Sequence, residues 1–193
     1  GKEKTQPVTY KELPPHLIYA LQAKEDERFK EHSGIDLQSV ARAVVYGGQR
    51  GGGSTITQQL AKLLFTDRVS QNKIQRAFQK LKEWVVAVSL EKRYTKEEII
   101  TLYFNKFDFL YNANGIEMAS RIYFNKPTSK LTLPEAAMFV AMLENPVKNN
   151  PMRNEQRAKA RRDVVLDQMV KTGYIDQQTY QKAVDTPIVL DYH

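Results

Sequence analysis

From Gln71 to Lys92 the apolar residues Ile74, Phe78, Leu81, Val85 and Val88 recur at the spacing of one helix face. That period of about 3.6 residues is one a strand cannot present. A long helix with one apolar side needs partners, and the rest of the chain offers helices. "PPHLIYALQAKEDERFKEHSG" has Pro14-Pro15 at its start, Leu17, Leu21 and Phe29 on a broad face, and Ser33-Gly34 as its stop. "DLQSVARAVVYGG" begins at an Asp36 N-cap and ends at Gly47-Gly48. Thr95 and Glu98 have the spacing of a capping box before "IITLYFN", and Thr132 caps "LPEAAMFVAMLEN", with Pro134 in its first turn. "EQRAKARRDVVLDQMVKTG" closes at Gly173, and "DQQTYQKAV" is a last short helix. No two runs alternate over enough residues to build a sheet, so the expected fold is mainly α.

One stretch carries chemistry. "GGQRGGGSTITQQLAK", residues 47 to 62, combines a glycine run, a Ser-Thr pair, a helix start and a lysine. It approaches a P-loop, with Gly48, four residues, Gly53 and Ser54-Thr55, but the lysine that should directly precede the hydroxyl residue is absent. Thr55 and Gln58 form a capping box instead. Leu60, Leu63 and Leu64 give the helix an apolar stripe, and Gln58 and Lys62 share its other face. The stretch reads either as a surface turn before a helix or as an anion site without a nucleotide fold, where glycines admit a ligand to the backbone and a lysine adds charge.

At 193 residues the chain suffices for a single domain over residues 1–193 or two small lobes. Its longest apolar run, "AAMFVAML", is far short of a bilayer span. The opening "GKEKTQ", without an initiating Met, and the ending "VLDYH" suggest an excised piece of a larger protein. Lys and Arg number 29 against 22 Asp and Glu, a net charge of +7 with a pI near 9.4, which favours anionic partners. Three histidines and no cysteine leave no zinc spacing and no thiol nucleophile. Chemistry falls to carboxylates, lysines, arginines and hydroxyls.

Two glutamates stand out. Glu25 lies in "KEDERFKEHSG". Glu83 shares a narrow stripe with Arg76 and Lys80, at i, i+4 and i+7, opposite the apolar face of the long helix. By pattern alone both read first as members of a solvated face, Glu25 the more so among Lys24, Asp26 and Glu27.

"EDERFKEHSG", "GGSTITQQLAK" (52–62), "KLKE" (80–83), "IITLYFN" (99–105) and "LPEAAMFVAML" (133–143) follow one another in the order of the five motifs of the peptidoglycan glycosyltransferases, glycosyltransferase family 51. Across roughly residues 10 to 175 the chain resembles the glycosyltransferase half of a class A penicillin-binding protein, or a monofunctional version of it. The resemblance implies a lysozyme-like helical domain with a small membrane-facing lobe, which joins lipid II into glycan strands at the outer face of the cytoplasmic membrane. It implies an N-terminal membrane helix outside this chain and allows a C-terminal transpeptidase domain. It assigns the general base to Glu25 and the second functional glutamate to Glu83. Substrate contacts fall on Asp26, Phe29, His32, Gly53, Ser54, Thr55, Gln58, Gln59, Lys62, Arg76, Lys80 and Asn105. No cofactor is firmly implied, a divalent cation such as Mg²⁺ or Mn²⁺ is allowed for, and no nucleic-acid partner is expected. The chain departs from the family pattern at Leu63, Gln75, Gln79 and Leu110.

Transfer to a sugar hydroxyl with inversion needs a carboxylate to take the proton and cations to hold the leaving pyrophosphate. Since that group already leaves as a stable anion, no second carboxylic acid is required, unlike in glycoside hydrolysis. Two other readings remain at this point: a lysozyme-like enzyme that cuts glycan, and a non-catalytic basic module for membrane or nucleic acid, resting on Arg153, Arg157, Lys159, Arg161 and Arg162.

Overall fold

The computed structural model describes residues 6–46 and 53–193. The expected helix end at Gly47-Gly48 and the first part of the glycine run lie outside the described residues. Among the described residues the regular elements are helices: α1 (Pro15–Glu25), α2 (Leu37–Val45), α3 (Ile56–Phe65), α4 (Lys73–Arg93), α5 (Lys96–Lys106), α6 (Ile116–Phe124), α7 (Leu133–Glu144), α8 (Glu155–Lys171) and α9 (Gln177–Val184). The fold is mainly α. It divides into two compact units, Gly1–Glu27 with Phe104–His193, and Arg28–Tyr103.

The first unit is organised around α7. Apolar nearly all round, this helix buries every residue from Ala136 to Leu143, as expected of a core helix. It packs against α1 and α8, and α8 packs in turn on α1 and α9. The rings of Phe109, Tyr123 and Phe124 surround Phe139 at centroid distances of 5.3, 5.7 and 5.4 Å, all edge to face. Burial pushes the Tyr123 hydroxyl up to about 12, against the Asn150 hydrogen bond. Asn105 ties down the chain before α1: its Oδ1 accepts from Val8 N at 3.0 Å and its Nδ2 donates to Val8 O at 2.9 Å. Between α5 and α6, Leu110, Tyr111 and Asn112 are consecutive left-handed residues, with φ of 66°, 51° and 64°.

In the second unit α3 packs against α4. The loop before α2 is pinned from several sides. Arg28 forms an ion pair with Asp36, which also caps α2 through Ser39. Lys96 Nζ donates to His32 O at 2.6 Å and Glu91 Oε1 at 2.7 Å while sitting 4.5 Å from the Phe29 ring centre. Thr57 Oγ1 donates to the same Glu91 oxygen at 2.7 Å. Gly34, at φ +109°, runs against α4 so closely that a Cβ there would lie 2.9 Å from Ala87 O.

Three expectations from the sequence change. The first helix ends at Glu25 instead of continuing to Ser33, because Asp26 takes φ −161° as C-cap and Phe29 turns into the core with no exposed surface. Helix α6 has no counterpart in the sequence reading, since its N-cap is Gly115 with no capping side chain. Most telling, α4 is inverted: Glu83, Ala87 and Leu90 are its buried residues, whereas Ile74, Phe78, Leu81 and Val85 are 71%, 68%, 55% and 71% exposed.

Candidate functional site

The described part of the glycine stretch feeds the start of α3 as a reciprocal cap. Thr55 N donates to Gln58 Oε1 at 2.8 Å, and Gln58 N donates to Thr55 Oγ1 at 3.1 Å. The Thr55 hydroxyl also donates to Gly34 O at 2.7 Å, which joins the second motif to the end of the first. Beside this cap is a pocket of about 250 Å³ lined by Gly53, Ser54 and Gln58, by Lys80 and Trp84 from α4, and by the apolar side of α2.

Gln58 is 4% exposed, and while its carbonyl oxygen is used in the cap, its Nε2 has no acceptor among the described residues. An unmet buried donor costs about 1–3 kcal/mol. With Lys80 also in its lining, the pocket is suited to an anionic oxygen ligand.

On α4, Arg76 donates from both terminal nitrogens to the two Glu83 oxygens, at 3.0 and 3.1 Å. Glu83 is 5% exposed, so the pair is a largely buried fork. Gln79 and Gln75, two of the departures from the family pattern, hold the preceding loop. Gln79 donates to Arg68 O and accepts from Ser70 N, and Ser70 Oγ donates to Gln75 Oε1.

In the other unit Glu25 is the half-buried last residue of α1, followed by Asp26, 6% exposed. Three polar ties, from the end of α7, from α8 and from the turn after it, hold this helix end, and sequence reasoning missed them. Glu144 receives Arg161 at 2.6 Å and Lys24 at 3.7 Å; burial works to raise its pKa, but these two cations outweigh it and hold the carboxyl below its usual value. Gln168 Nε2 donates to Glu27 Oε1 at 2.8 Å. Tyr174 stacks on Tyr19 at 4.7 Å and reaches Gln22 Oε1 at 3.4 Å. No local pattern marks Glu144 or Gln168, whose partners lie far away in sequence.

The structure therefore brings Gly53, Ser54, Gln58 and Lys80 to one pocket, with Thr55 buried beneath as its cap. Lys62 is exposed and does not line it, which separates it from Gln58. Gln59 accepts from Tyr103 Oη at 2.8 Å. Phe29 and Asn105 act within the fold: Phe29 is fully buried beside His32, and the Asn105 amide is committed to Val8. Among the described residues no group of three or more His, Asp or Glu side chains could hold a metal ion.

The basic cluster on and just before α8 is engaged residue by residue, within the helix and beyond it. Arg162 has no exposed surface and donates to the carbonyls of Ala183, Val184 and Thr186. Arg157 reaches Asn149, Lys159 pairs with Asp163, and Arg153 meets Tyr111. A cluster so engaged does not form the free basic surface that a nucleic-acid module would need.

The five motifs, in order on a mainly α chain, resemble those of glycan-processing enzymes. A family model described as Transglycosylase matches residues 1–170, and the chain belongs to that family, whose activity is peptidoglycan glycosyl transfer. Penicillin-binding protein 1A of Pseudomonas aeruginosa is 38% identical over 198 residues, covering 100% of this chain and 23% of that protein. Penicillin-binding protein 1A of Aquifex aeolicus is 38% identical over 194 residues, covering 98% and 26%. The crystal structure of penicillin-binding protein 1A from Haemophilus influenzae superposes with a TM-score of 0.60 at 24% identity, covering 100% of this chain and 19% of that one, which establishes the shared fold. The chain thus spans about a quarter of the length of the curated relatives it matches.

Proposed function

We propose that this chain polymerises lipid II into glycan strands with inversion at the donor sugar and release of the polyprenyl pyrophosphate, its two units serving as one catalytic domain. The observation that carries the reading is the α3 pocket, where a buried Gln58 amide lacking an acceptor among the described residues and the Lys80 ammonium line one hollow. A leaving pyrophosphate supplies the oxygens such a pocket lacks, whereas glycan hydrolysis has no anion to place there.

Glu25 takes the proton of the attacking sugar hydroxyl. Glu83 fixes Arg76 toward the developing negative charge, a role its bidentate contact supports. A divalent cation, if bound, would add positive charge at the pyrophosphate, and no step here is routed through it.

The working surface is the outer face of the cytoplasmic membrane. No helix among the described residues is long and apolar enough to cross a bilayer. The exposed Ile74, Phe78 and Val85 of α4 support a peripheral contact instead, since contiguous exposed apolar surface of this kind suits a membrane or a partner. A membrane helix ahead of the domain and a transpeptidase domain after it belong to the same reading, which the greater length of the relatives supports.

The test is incubation with lipid II in detergent. Polymer that lysozyme digests is expected, and its absence under conditions where a known transglycosylase is active would overturn the proposal.

A further inference from the structure

Tyr19, Gln22 and Glu25 follow one another three residues apart along α1, a spacing that puts neighbours on one side of a helix with Cβ atoms about 5–6 Å apart. The middle member is a polar side chain in the core. Gln22 is 2% exposed, its Oε1 receives the Tyr174 hydroxyl at a long 3.4 Å, and its Nε2 has no acceptor among the described residues. Tyr174 is itself fixed by its stack on Tyr19, with ring centres 4.7 Å apart and planes 10° from parallel. A carboxamide tied at its oxygen presents its N–H groups to an acceptor within reach. One turn along the same side of the helix stands the Glu25 carboxyl.

We infer that Gln22 is a positioning residue for Glu25, its Nε2 donating through one bridging water to the carboxylate and holding it charged and oriented for the attacking hydroxyl. The inference rests on the reading of Glu25 as proton acceptor and deepens it, by naming what orients that acceptor. A water between the two side chains meets the donor that the protein leaves unmet. A carboxylate has about four acceptor sites, so this bond adds to any other that Glu25 holds. Hydrogen bonding to the charged form favours that form, which keeps Glu25 a base at lower pH. The charged groups around this helix end are Lys24, Asp26 and Glu27 of the chain itself, Glu144 at the end of α7 and Arg161 on α8, with the Tyr19 and Tyr174 hydroxyls near them. Substitution at Gln22 removes none of these, so a displaced acid limb reports the amide.

The experiment follows kcat/KM for lipid II polymerisation against pH in the full-length protein, with Gln22→Met, Tyr174→Phe and Glu25→Gln beside wild type. Gln22→Met keeps the side chain's length and removes the donor, and helix content reports that it folds. Its acid limb is expected about 0.5–1 pH unit above that of wild type, the scale of one hydrogen bond to a carboxylate, so activity below the limb falls about three- to tenfold. KM for lipid II and inhibition by inorganic pyrophosphate should change little, since Gln22 touches neither. Tyr174→Phe keeps the ring stack, frees the amide oxygen, and should move the limb the same way by less. A role in packing alone lowers the melting temperature and leaves the limb in place. An acid limb coinciding with wild type in Gln22→Met therefore overturns the inference, and where that variant does not fold, Tyr174→Phe decides by the same criterion. Glu25→Gln that keeps its activity and its acid limb overturns the base assignment and this inference with it. An inactive Glu25→Gln beside an unmoved limb in Gln22→Met overturns the inference alone.

Discussion

Arg76 and Glu83, seven residues apart on α4, face each other as a bidentate ion pair with both carboxylate oxygens engaged. A carboxylate so occupied is well placed to orient a cation and poorly placed to shuttle a proton. Glu83→Gln is therefore expected to lose less activity than Glu25→Gln and to keep the acid limb of the pH–rate profile, which on the proposed assignment reports Glu25. Its response to added Mg²⁺ should change, because Arg76 is then misplaced. An acid limb that disappears in Glu83→Gln and persists in Glu25→Gln would show the two roles to be reversed.

Removing the other partner should be costly in a different way. Arg76→Ala leaves a carboxylate that is 5% exposed without its main donors, a loss of about 2–3 kcal/mol of stability. Urea unfolding of Arg76→Ala and of the double variant Arg76→Ala/Glu83→Gln measures this, and the double variant should recover part of the loss.

Glu25→Gln alters shape very little and removes the proposed proton acceptor. Polymerisation should fall by about 10²–10⁴-fold, the range of general-base contributions, with lipid II binding retained. Activity within about tenfold of wild type would exclude Glu25 as the base.

At the anion pocket the two lysines of the second and third motifs are separable. Lys80 lines the pocket and Lys62 does not, so Lys80→Ala should weaken pyrophosphate inhibition by about 1.5–3 kcal/mol, the scale of a charge-assisted hydrogen bond. Lys62→Ala should have the smaller effect. Calorimetric titration with pyrophosphate compares them, and the opposite order would move the site along α3.

The Arg28–Asp36 pair makes stability depend on pH. Burial works to raise the Asp36 pKa, but the hydrogen bonds from Arg28 and Ser39 outweigh it and hold it below the ordinary 3.8. Asp36 therefore contributes stability that is complete above the unfolded-state value and is lost as pH falls through the lower folded one. Thermal melts across the acid range should show a steeper loss for wild type than for Asp36→Asn, which starts less stable and titrates less.

Much of the helical plan was legible because caps are local. The Thr55, Thr95 and Thr132 capping boxes all form with the partners their spacing gives, and Asp36 caps α2 as expected. What the sequence hid was which way a helix faces. The stripe of Ile74, Phe78, Leu81 and Val85 marks α4 as two-sided, but periodicity does not say whether the apolar side meets protein or another apolar medium. The same limit applies to Lys62, whose motif position is clear and whose exposure outside the pocket lining is not. Leu110 is a departure that the structure explains in part: it stands where the family has glycine and takes φ 66°. Leu110→Gly should thus exceed Leu110→Ala in melting stability by about 1 kcal/mol, since only alanine keeps the left-handed penalty.

The division of the chain has a consequence for its synthesis. The second unit is one continuous stretch, Arg28–Tyr103, whereas the first is split around it, and α1 packs against α7 and α8. Of these helices α1 is made before the others, yet it must wait with Leu17 and Leu21 uncovered until more than a hundred further residues have been made. The inserted unit has all its own sequence available well before then. Such long-range closure is slow and exposes apolar surface meanwhile. The nascent first helix is thus the part of this domain with most need of a chaperone.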